Sequence, residues 1–597
     1  MPLDRRAARF LHQPPVRLRR AFPAFLAGFV LLYAAYGAKR LTLGIDFTDE
    51  GEYLSWPLRT LFGERPFASE VMTLLKPIGL FLSLPFRLHP EITLYEIRLI
   101  GWAIHLAAFA IFSTYLFVLS RAALRSLLLA SVPFFVCQIF GIATPSYNSL
   151  SSDFLLIALS LWGLTGRDDI ARKKLLSFAS GAALFVATLA HPALGLVAAI
   201  MLARELVRND LLQNLRRRQS TPSNRAMLTF VAAWLVFAIY LVSIGAAADW
   251  IHRLPLTRSF AASSLASQPW HFFSALASHP FSYSRIAAGF SIAALLVAIV
   301  IRFSRRSNNP VSSAPLAGWL ALLLIASLIT TYRFQPQFLP SNFAQLSLIL
   351  IVALGTPLLA LRIDSTTRFL LLMAGLAGLL CATFTYYFSP ERSWLSGILA
   401  LPFAFGTGLT LLLDFPAVRP AFNRALVLVA LVFAVVGVAR DHFGFIFRDG
   451  AADSLTAEFH VPRLRHVRST PARVEAVDAL YDYLHPQIAR GEALLVFDEC
   501  AMLYFIFQAQ PAYAWAGAKR YNLSDNALVE FDREFEAKPL PTYAIRTLVD
   551  VSNPDWEHAP RTRYDHYPLN ESLLAHYHLQ RTIFPFEVWQ LNVPAAK

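Results

Sequence analysis

The stretch Gly44–Leu54, GIDFTDEGEYL, places four carboxylates, Asp46, Asp49, Glu50 and Glu52, within seven residues. Phe47, Tyr53, Leu54 and Trp56 are interleaved with them, a mixture unlike a freely solvated polar loop. A helix starting near residue 49 takes Thr48 as its N-cap and gains from acids in its first turn, where the helix dipole favours negative charge. Asp49 and Tyr53 then share a face, four residues apart, while Asp46 lies ahead of the cap and is free to point elsewhere. A carboxylate held beside a low-dielectric surface is suited to act as a general base on an incoming hydroxyl or amine. The same oxygens suit a hard divalent cation, but no His or Cys ligand spacing accompanies them, so no metal cofactor is indicated.

Other residues could serve such a base. Asp153, in TPSYNSLSSDFLLIALSLW, stands about five residues into an apolar run, roughly 8 Å deep at the helical rise. An ionisable group at that depth faces a cavity or a partner, or else snorkels to the surface beside Ser151 and Ser152. Lys76, Arg98 and Arg333 are basic residues placed near the same outer surface. Arginine suits bidentate phosphate contacts and lysine a point-charge contact; anchoring in lipid headgroups is the alternative for each. His191 stands before Pro192 at a break in an apolar run, where a structural role competes with a binding one. Cys137, Cys381 and Cys500 are too scattered for a disulfide framework or a Cys-based metal site.

The elements that must hold these residues are apolar and long. The chain of 597 residues is 56% hydrophobic and only 15% charged, with mean hydropathy +0.48, against about 25% charged residues in a soluble domain. Runs of 18 or more apolar residues mark transmembrane helices. Thirteen spans are expected, near 21–38, 95–119, 126–143, 148–165, 174–190, 192–206, 227–248, 282–303, 314–331, 340–361, 368–388, 394–413 and 424–439. The run 174–206 exceeds one crossing, and His191-Pro192 divides it into two helices. The first span follows six arginines without a convincing cleavage site, so it reads as a retained helix and not a signal peptide. The net charge of +14 lies in short loops, a pattern of topology signals facing anionic lipid and not of nucleic-acid binding.

Residues 71–88 are apolar but short and interrupted by Pro77 and Pro85. Laid flat as an interfacial helix, they leave the arginine-rich loops, from Arg121/Arg125 to Arg419/Arg424, on the side of the N-terminus. The positive-inside rule then puts the N-terminus in the cytoplasm, and the first loop (39–94) and the tail (441–597) outside. The tail carries strand-like runs, ALLVFDE, YAIRTLVDV and TIFPFEVWQLNV, and a helix-like CAMLYFIFQAQ, which together suggest a small α/β domain. It holds no GxGxxG, Walker loop, HExxH or nucleophile elbow. The expected fold is therefore an all-α polytopic membrane bundle over residues 1–440 with a small extracytoplasmic α/β domain at 441–597.

Taken together, the motifs resemble those of the GT-C membrane glycosyltransferases that use polyprenyl-phosphate-linked sugars. The nearest in style are the protein O-mannosyltransferases and the bacterial aminoarabinose transferases acting on lipid A. Asp49-Glu50 with Tyr53 resembles the DExxY element of the latter. Lys76-Pro77 and Arg98-Leu99 are similar to their KPP-led interfacial helix and RLP-type entry to the second span, although Ile78 and Ile100 depart from both motifs. Asp153 falls where that family has a second outer-loop acid, Arg333 resembles a basic residue contacting the donor phosphate, and His191-Pro192 stands where relatives often carry Lys-Gly.

The resemblance implies a GT-C bundle of 11–13 helices and an inverting hexosyl or pentosyl transferase in a bacterial-type inner membrane. Its donor would be a polyprenyl-phosphate sugar, and its acceptor an extracytoplasmic glycan, lipid or protein. Asp49 would be the base, Glu50 and Asp153 would assist it, and Asp46, Tyr53, Lys76, Arg98, His191 and Arg333 would line the substrates; beyond membrane lipids no further partner is implied. Two other classes fit the composition. A transporter or flippase of lipid-linked intermediates would show internal repeats and midplane charges, and no repeat is evident. A non-catalytic assembly subunit could keep the fold without the chemistry.

Overall fold

The computed structural model of the chain describes residues 16–68, 77–136, 144–167, 170, 172–208, 221–253, 364–388, 401–413, 444, 446–497, 500–512, 533, 537–562 and 568–592. The first helix, α1 (Val16–Arg40), ends on Lys39 and Arg40, cations at the negative end of the helix dipole. The acidic stretch opens α2 (Asp49–Leu61), and α3 (Pro77–Leu88) follows with proline first, where its missing N–H costs no hydrogen bond. A Thr93–Glu96 capping box starts α4 (Leu94–Ser120), which leads into α5 (Ala123–Val136). A second capping box, Ser146–Ser149, starts α6 (Tyr147–Thr165). Helices α7 (Lys173–Ala190) and α8 (Leu194–Arg208) meet at His191-Pro192, dividing the long apolar run there. The bundle continues with α9 (Pro222–Ser243), the short α10 (Ala246–Arg253), α11 (Ser365–Phe388) and α12 (Leu401–Leu413).

Helix α6 runs through the middle of the bundle, buried along almost its whole length and packed on α4 and α7. Helices α1 and α9 instead turn Leu31, Leu32, Val236, Ile239 and Val242 outward, each more than half exposed. Water would oppose such surface, and lipid accepts it. Among the described residues four helices, Ala21–Arg40, Leu94–Ser120, Lys173–Ala190 and Pro222–Ser243, are long and apolar enough to cross a membrane. The chain is an integral membrane protein. Of the expected spans, 282–303, 314–331, 340–361 and 424–439 lie outside the described residues. With 12 residues, α3 reaches only about 18 Å, short of the roughly 30 Å hydrocarbon core. It buries Ile78, Gly79 and Phe86 and exposes Phe81, Leu84 and Leu88.

The C-terminal region carries a short antiparallel pair, β1 (Ala457–Glu458) and β2 (Arg468–Ser469), then α13 (Pro471–Leu484). After it come β3 (Ala493–Val496), α14 (Met502–Phe507), β4 (Gln510–Pro511), β5 (Tyr543–Thr547), α15 (Pro568–His576), β6 (Tyr577–Ile583) and β7 (Phe586–Leu591). They form a five-stranded sheet of order β4-β3-β5-β7-β6, parallel at β4-β3-β5 and antiparallel beyond. TIFPFEVWQLNV divides between β6 and β7, with Phe584-Pro585 at the turn.

This sheet region is not separated from the first loop. Ile45, Phe47, Leu54, Leu58, Phe86, Leu94 and Ile97 share one hydrophobic core with residues of α13, β3, α14 and β5. At one close approach glycine is required, because a Cβ at Gly51 would strike the backbone of Met502 at the start of α14.

Candidate active site

The acidic loop is fixed residue by residue. Gly44 takes a left-handed φ of 77°, open to glycine without strain, and its N–H donates to the Arg468 carbonyl (2.7 Å). The Arg468 N–H donates in turn to the Thr42 carbonyl (2.7 Å). Ile45 N–H donates to Asp449 Oδ2 (2.9 Å), and the Phe47 carbonyl accepts from Met502 N–H (2.9 Å). Arg473, buried between the rings of Phe47 and Trp556, reaches the Ile45 carbonyl and Asp449. These anchors come from the C-terminal region, about 400 residues further along the chain.

Asp46, and not Thr48, caps α2. Thr48 makes no side-chain capping bond. Asp46 Oδ2 accepts from the amides of Asp49 (3.1 Å) and Glu50 (3.2 Å), and Oδ1 accepts from the Thr48 amide (3.1 Å) and hydroxyl (2.9 Å). The expectation that Asp46 points elsewhere is therefore corrected: the helix's first amides have no partners within the helix, and the Asp46 carboxylate is the group within reach of them. Burial pushes the Asp46 carboxyl up from its ordinary value, Arg448 draws it back, and Asp49 adds to the rise.

Glu50 is fully buried and forms a two-pronged pair with Arg98, Nε to Oε1 at 2.8 Å and Nη2 to Oε2 at 2.7 Å. Thr144 also donates its hydroxyl to Glu50. Arg98 completes its fork on the carbonyls of Leu41 and Gly44, both at 2.9 Å. The structure thus ties Arg98 to the loop itself, where a phosphate contact was the expectation.

Asp49 sits in the first turn of α2 with its side chain 19% exposed, and its Oδ2 lies 3.3 Å from Arg448 Nη1. The same guanidinium nitrogen stands 3.4 Å from Asp46 Oδ1. Tyr53, one turn on, is buried against Trp56 and Tyr147. Burial drives its phenol well above the usual value, and Tyr147 and the nearby carboxylates add to this, so it stands neutral. An apolar cavity lined by Tyr53, Leu54, Pro57, Leu82, Pro85 and Pro145 opens beside this face.

Asp153 takes its partner from the bundle and not from the loop. Its Oδ1 lies 2.6 Å from His105 Nδ1, and His105 Nε2 lies 2.7 Å from the Phe134 carbonyl. A carbonyl only accepts, so Nε2 carries a proton, and a further proton is shared between Nδ1 and Asp153. His191 is buried with its Nδ1 3.6 Å from Cys381 Sγ and its ring 6.4 Å from that of Tyr147. Lys76 and Arg333 lie outside the described residues. Among the described residues, no three His, Cys, Asp or Glu side chains converge as metal ligands.

Sequence reasoning missed Arg448, Asp449, Arg473 and His105. His105 did leave a signal, a titratable residue inside the apolar run GWAIHLAAF. The other three leave none, since nothing local marks a pairing across 400 residues.

No protein-family model matches the chain, and no curated protein matches it in sequence. Among solved structures it is similar to ArnT from Cupriavidus metallidurans bound to undecaprenyl phosphate, at 11% identity and TM-score 0.38, covering 96% of this chain and 98% of that one. It is similar to the archaeal oligosaccharyltransferase AglB from Archaeoglobus fulgidus, at 10% identity and TM-score 0.41, over 88% of this chain and 70% of that one. A third likeness is to the arabinofuranosyltransferase AftD from Mycobacteria, at 12% identity and TM-score 0.41, over 95% of this chain and 40% of that one.

Proposed function

We propose that the chain is an inverting membrane glycosyltransferase. It moves a sugar from a polyprenyl-phosphate donor to a hydroxyl or amine of an extracytoplasmic glycan, lipid or protein, in a bacterial-type inner membrane with its N-terminus cytoplasmic. The observation that carries this reading is the contrast among the acids at the start of α2. Asp46 is consumed in capping and Glu50 in its buried pair, while Asp49 is fixed by Arg448 and still reachable from solvent.

In the step, an Asp49 carboxylate oxygen takes the proton from the acceptor. The acceptor's electron pair forms the new bond at the anomeric carbon from the side opposite the phosphate. The carbon–oxygen bond to phosphate breaks, and its electrons leave with the polyprenyl phosphate. One displacement inverts the configuration. Lys76 and Arg333 are the residues we assign to the departing phosphate, whose developing charge a cation stabilises. Glu50 and Arg98 hold α2 at its angle, and neutral Tyr53 walls the small apolar cavity beside that helix. Asp153, through His105, and His191, beside Tyr147, are assigned to holding the helices under the site.

The test is transfer of radiolabelled sugar from polyprenyl-phosphate monosaccharides in membranes carrying wild type or Asp49→Asn. Transfer by wild type, reduced at least about 100-fold in the variant at equal expression, is expected. Retained turnover by Asp49→Asn would remove the base.

A further inference from the structure

Arg448 belongs to the short turn 446–449 that leads into the sheet region, and its backbone is left-handed at φ 56°. Side chains larger than glycine avoid this region unless their surroundings impose it. Here they do. Asp449, the next residue, is buried and held from several sides: it accepts from Ile45 N–H, from the Ser469 hydroxyl at 2.8 and 3.0 Å, and from Gly450 N–H, and it faces Arg473. With Asp449 locked beneath Ile45, Arg448 is delivered to the carboxylates that follow Ile45 in the chain. Its side chain is 8% exposed, its guanidinium lies over the Phe447 ring, and one nitrogen bridges Asp46 and Asp49.

Two carboxylates so close repel each other, and burial adds to the cost of charging them. The charged and titratable groups around Asp49 are Asp46, Glu50 and Glu52 from its own stretch, Arg98 from α4, Tyr53, Tyr147 from α6, and Arg448, Asp449 and Arg473 from the C-terminal region. Arg98 is spent on Glu50, and Arg473 on Asp449 and three carbonyls.

We propose that Arg448 is a positioning residue for the reaction, a resident cation that the C-terminal region inserts between Asp46 and Asp49 to hold the Asp49 carboxylate charged and aimed. This rests on Asp49 being the base, and it makes the C-terminal region part of the catalytic apparatus.

The test labels carboxyl groups of the full-length protein in detergent with a carbodiimide and glycine ethyl ester across pH, read by peptide mass spectrometry. Carbodiimide requires the protonated acid, so the midpoint of Asp49 labelling reports its protonation without any substrate. In Arg448→Gln that midpoint moves up by about one to three pH units. Arg448→Lys restores part of the shift, since the ammonium keeps the charge on a side chain of different length and shape. Glu50, buried on Arg98, stays unlabelled in any folded variant; if the glutamine variant fails that control, the lysine variant decides, with a smaller upward movement expected. In the transfer assay the loss falls on kcat more than on KM and recedes as pH is raised. An unchanged Asp49 midpoint in a folded variant overturns the assignment of Arg448 while leaving Asp49 as base. Transfer retained by Asp49→Asn, with the midpoint shift present, instead overturns the base and leaves the ion pair standing.

Discussion

The Glu50–Arg98 pair shows how one interaction can decide the geometry of a site without touching substrate. Both groups are buried, and each of the three guanidinium nitrogens of Arg98 donates to Glu50 or to a loop carbonyl. Removing one partner strands a buried charge, at about 3–5 kcal/mol. Glu50→Ala and Arg98→Ala should each lower the thermal unfolding midpoint sharply, and the double variant Glu50→Leu/Arg98→Met should recover most of the loss. Single variants as stable as wild type in detergent would show that the pair does not hold the loop. Both residues stood out in the sequence by type and position, yet their pairing did not, because 48 residues separate them and only the folded loop brings them together. Thr48 offered the expected capping chemistry, but Asp46 took the amides; a carboxylate three residues before the helix can reach forward to them, and sequence spacing alone does not rank the two.

Among the elements, helices were the most legible, because membrane spans must be apolar; the capping boxes Thr93–Glu96 and Ser146–Ser149 that start two of them emerge only in the structure. The strand-like ALLVF and the helix-like MLYFIF were also readable, whereas the sheet order depends on pairings with no local signature. One such link joins the segment after β1 to α13. His460 lies 2.9 Å from Asp478 and 3.0 Å from Asp482, carboxylates four residues apart on one helix face. The hydrogen bond to Asp482, with the charges of both acids, raises the imidazole above its usual value. A raised histidine binds its proton more tightly when folded. Its stabilisation is therefore complete below the unfolded value of about 6.5 and fades as pH rises through the folded one. Wild type should unfold at a higher temperature than His460→Gln at about pH 5.5, and the gap should close by about pH 8.5. The effect is small, because the ring is exposed, and high salt should shrink it further. A pH-independent gap would assign the difference to packing.

For the whole molecule, the acidic loop and the C-terminal region are one folding unit although the chain places nearly the entire bundle between them. Ile45, Phe47, Leu54 and Leu58 are buried against residues that follow position 459, and Arg463 donates to the carbonyls of Ile92 and Pro90 at 2.6 and 2.5 Å. Exposing one large apolar side chain costs about 1.5–3 kcal/mol, so uncovering these four, about 6–12 kcal/mol together, is comparable to the roughly 5–15 kcal/mol that hold a domain folded. Deleting residues 441–597 should therefore leave a chain that still inserts into the membrane but whose segment 39–94 is unfolded. Protease added to the protein in detergent would cut that segment in the truncated chain and spare it in the intact one. Equal protection in both would mean that the bundle alone orders the loop, and the C-terminal region would then be an addition to the site and not a part of it. The expected cleavage also explains why the acidic stretch, so visible in the sequence, did not disclose its site: half of what shapes it is encoded 400 residues away.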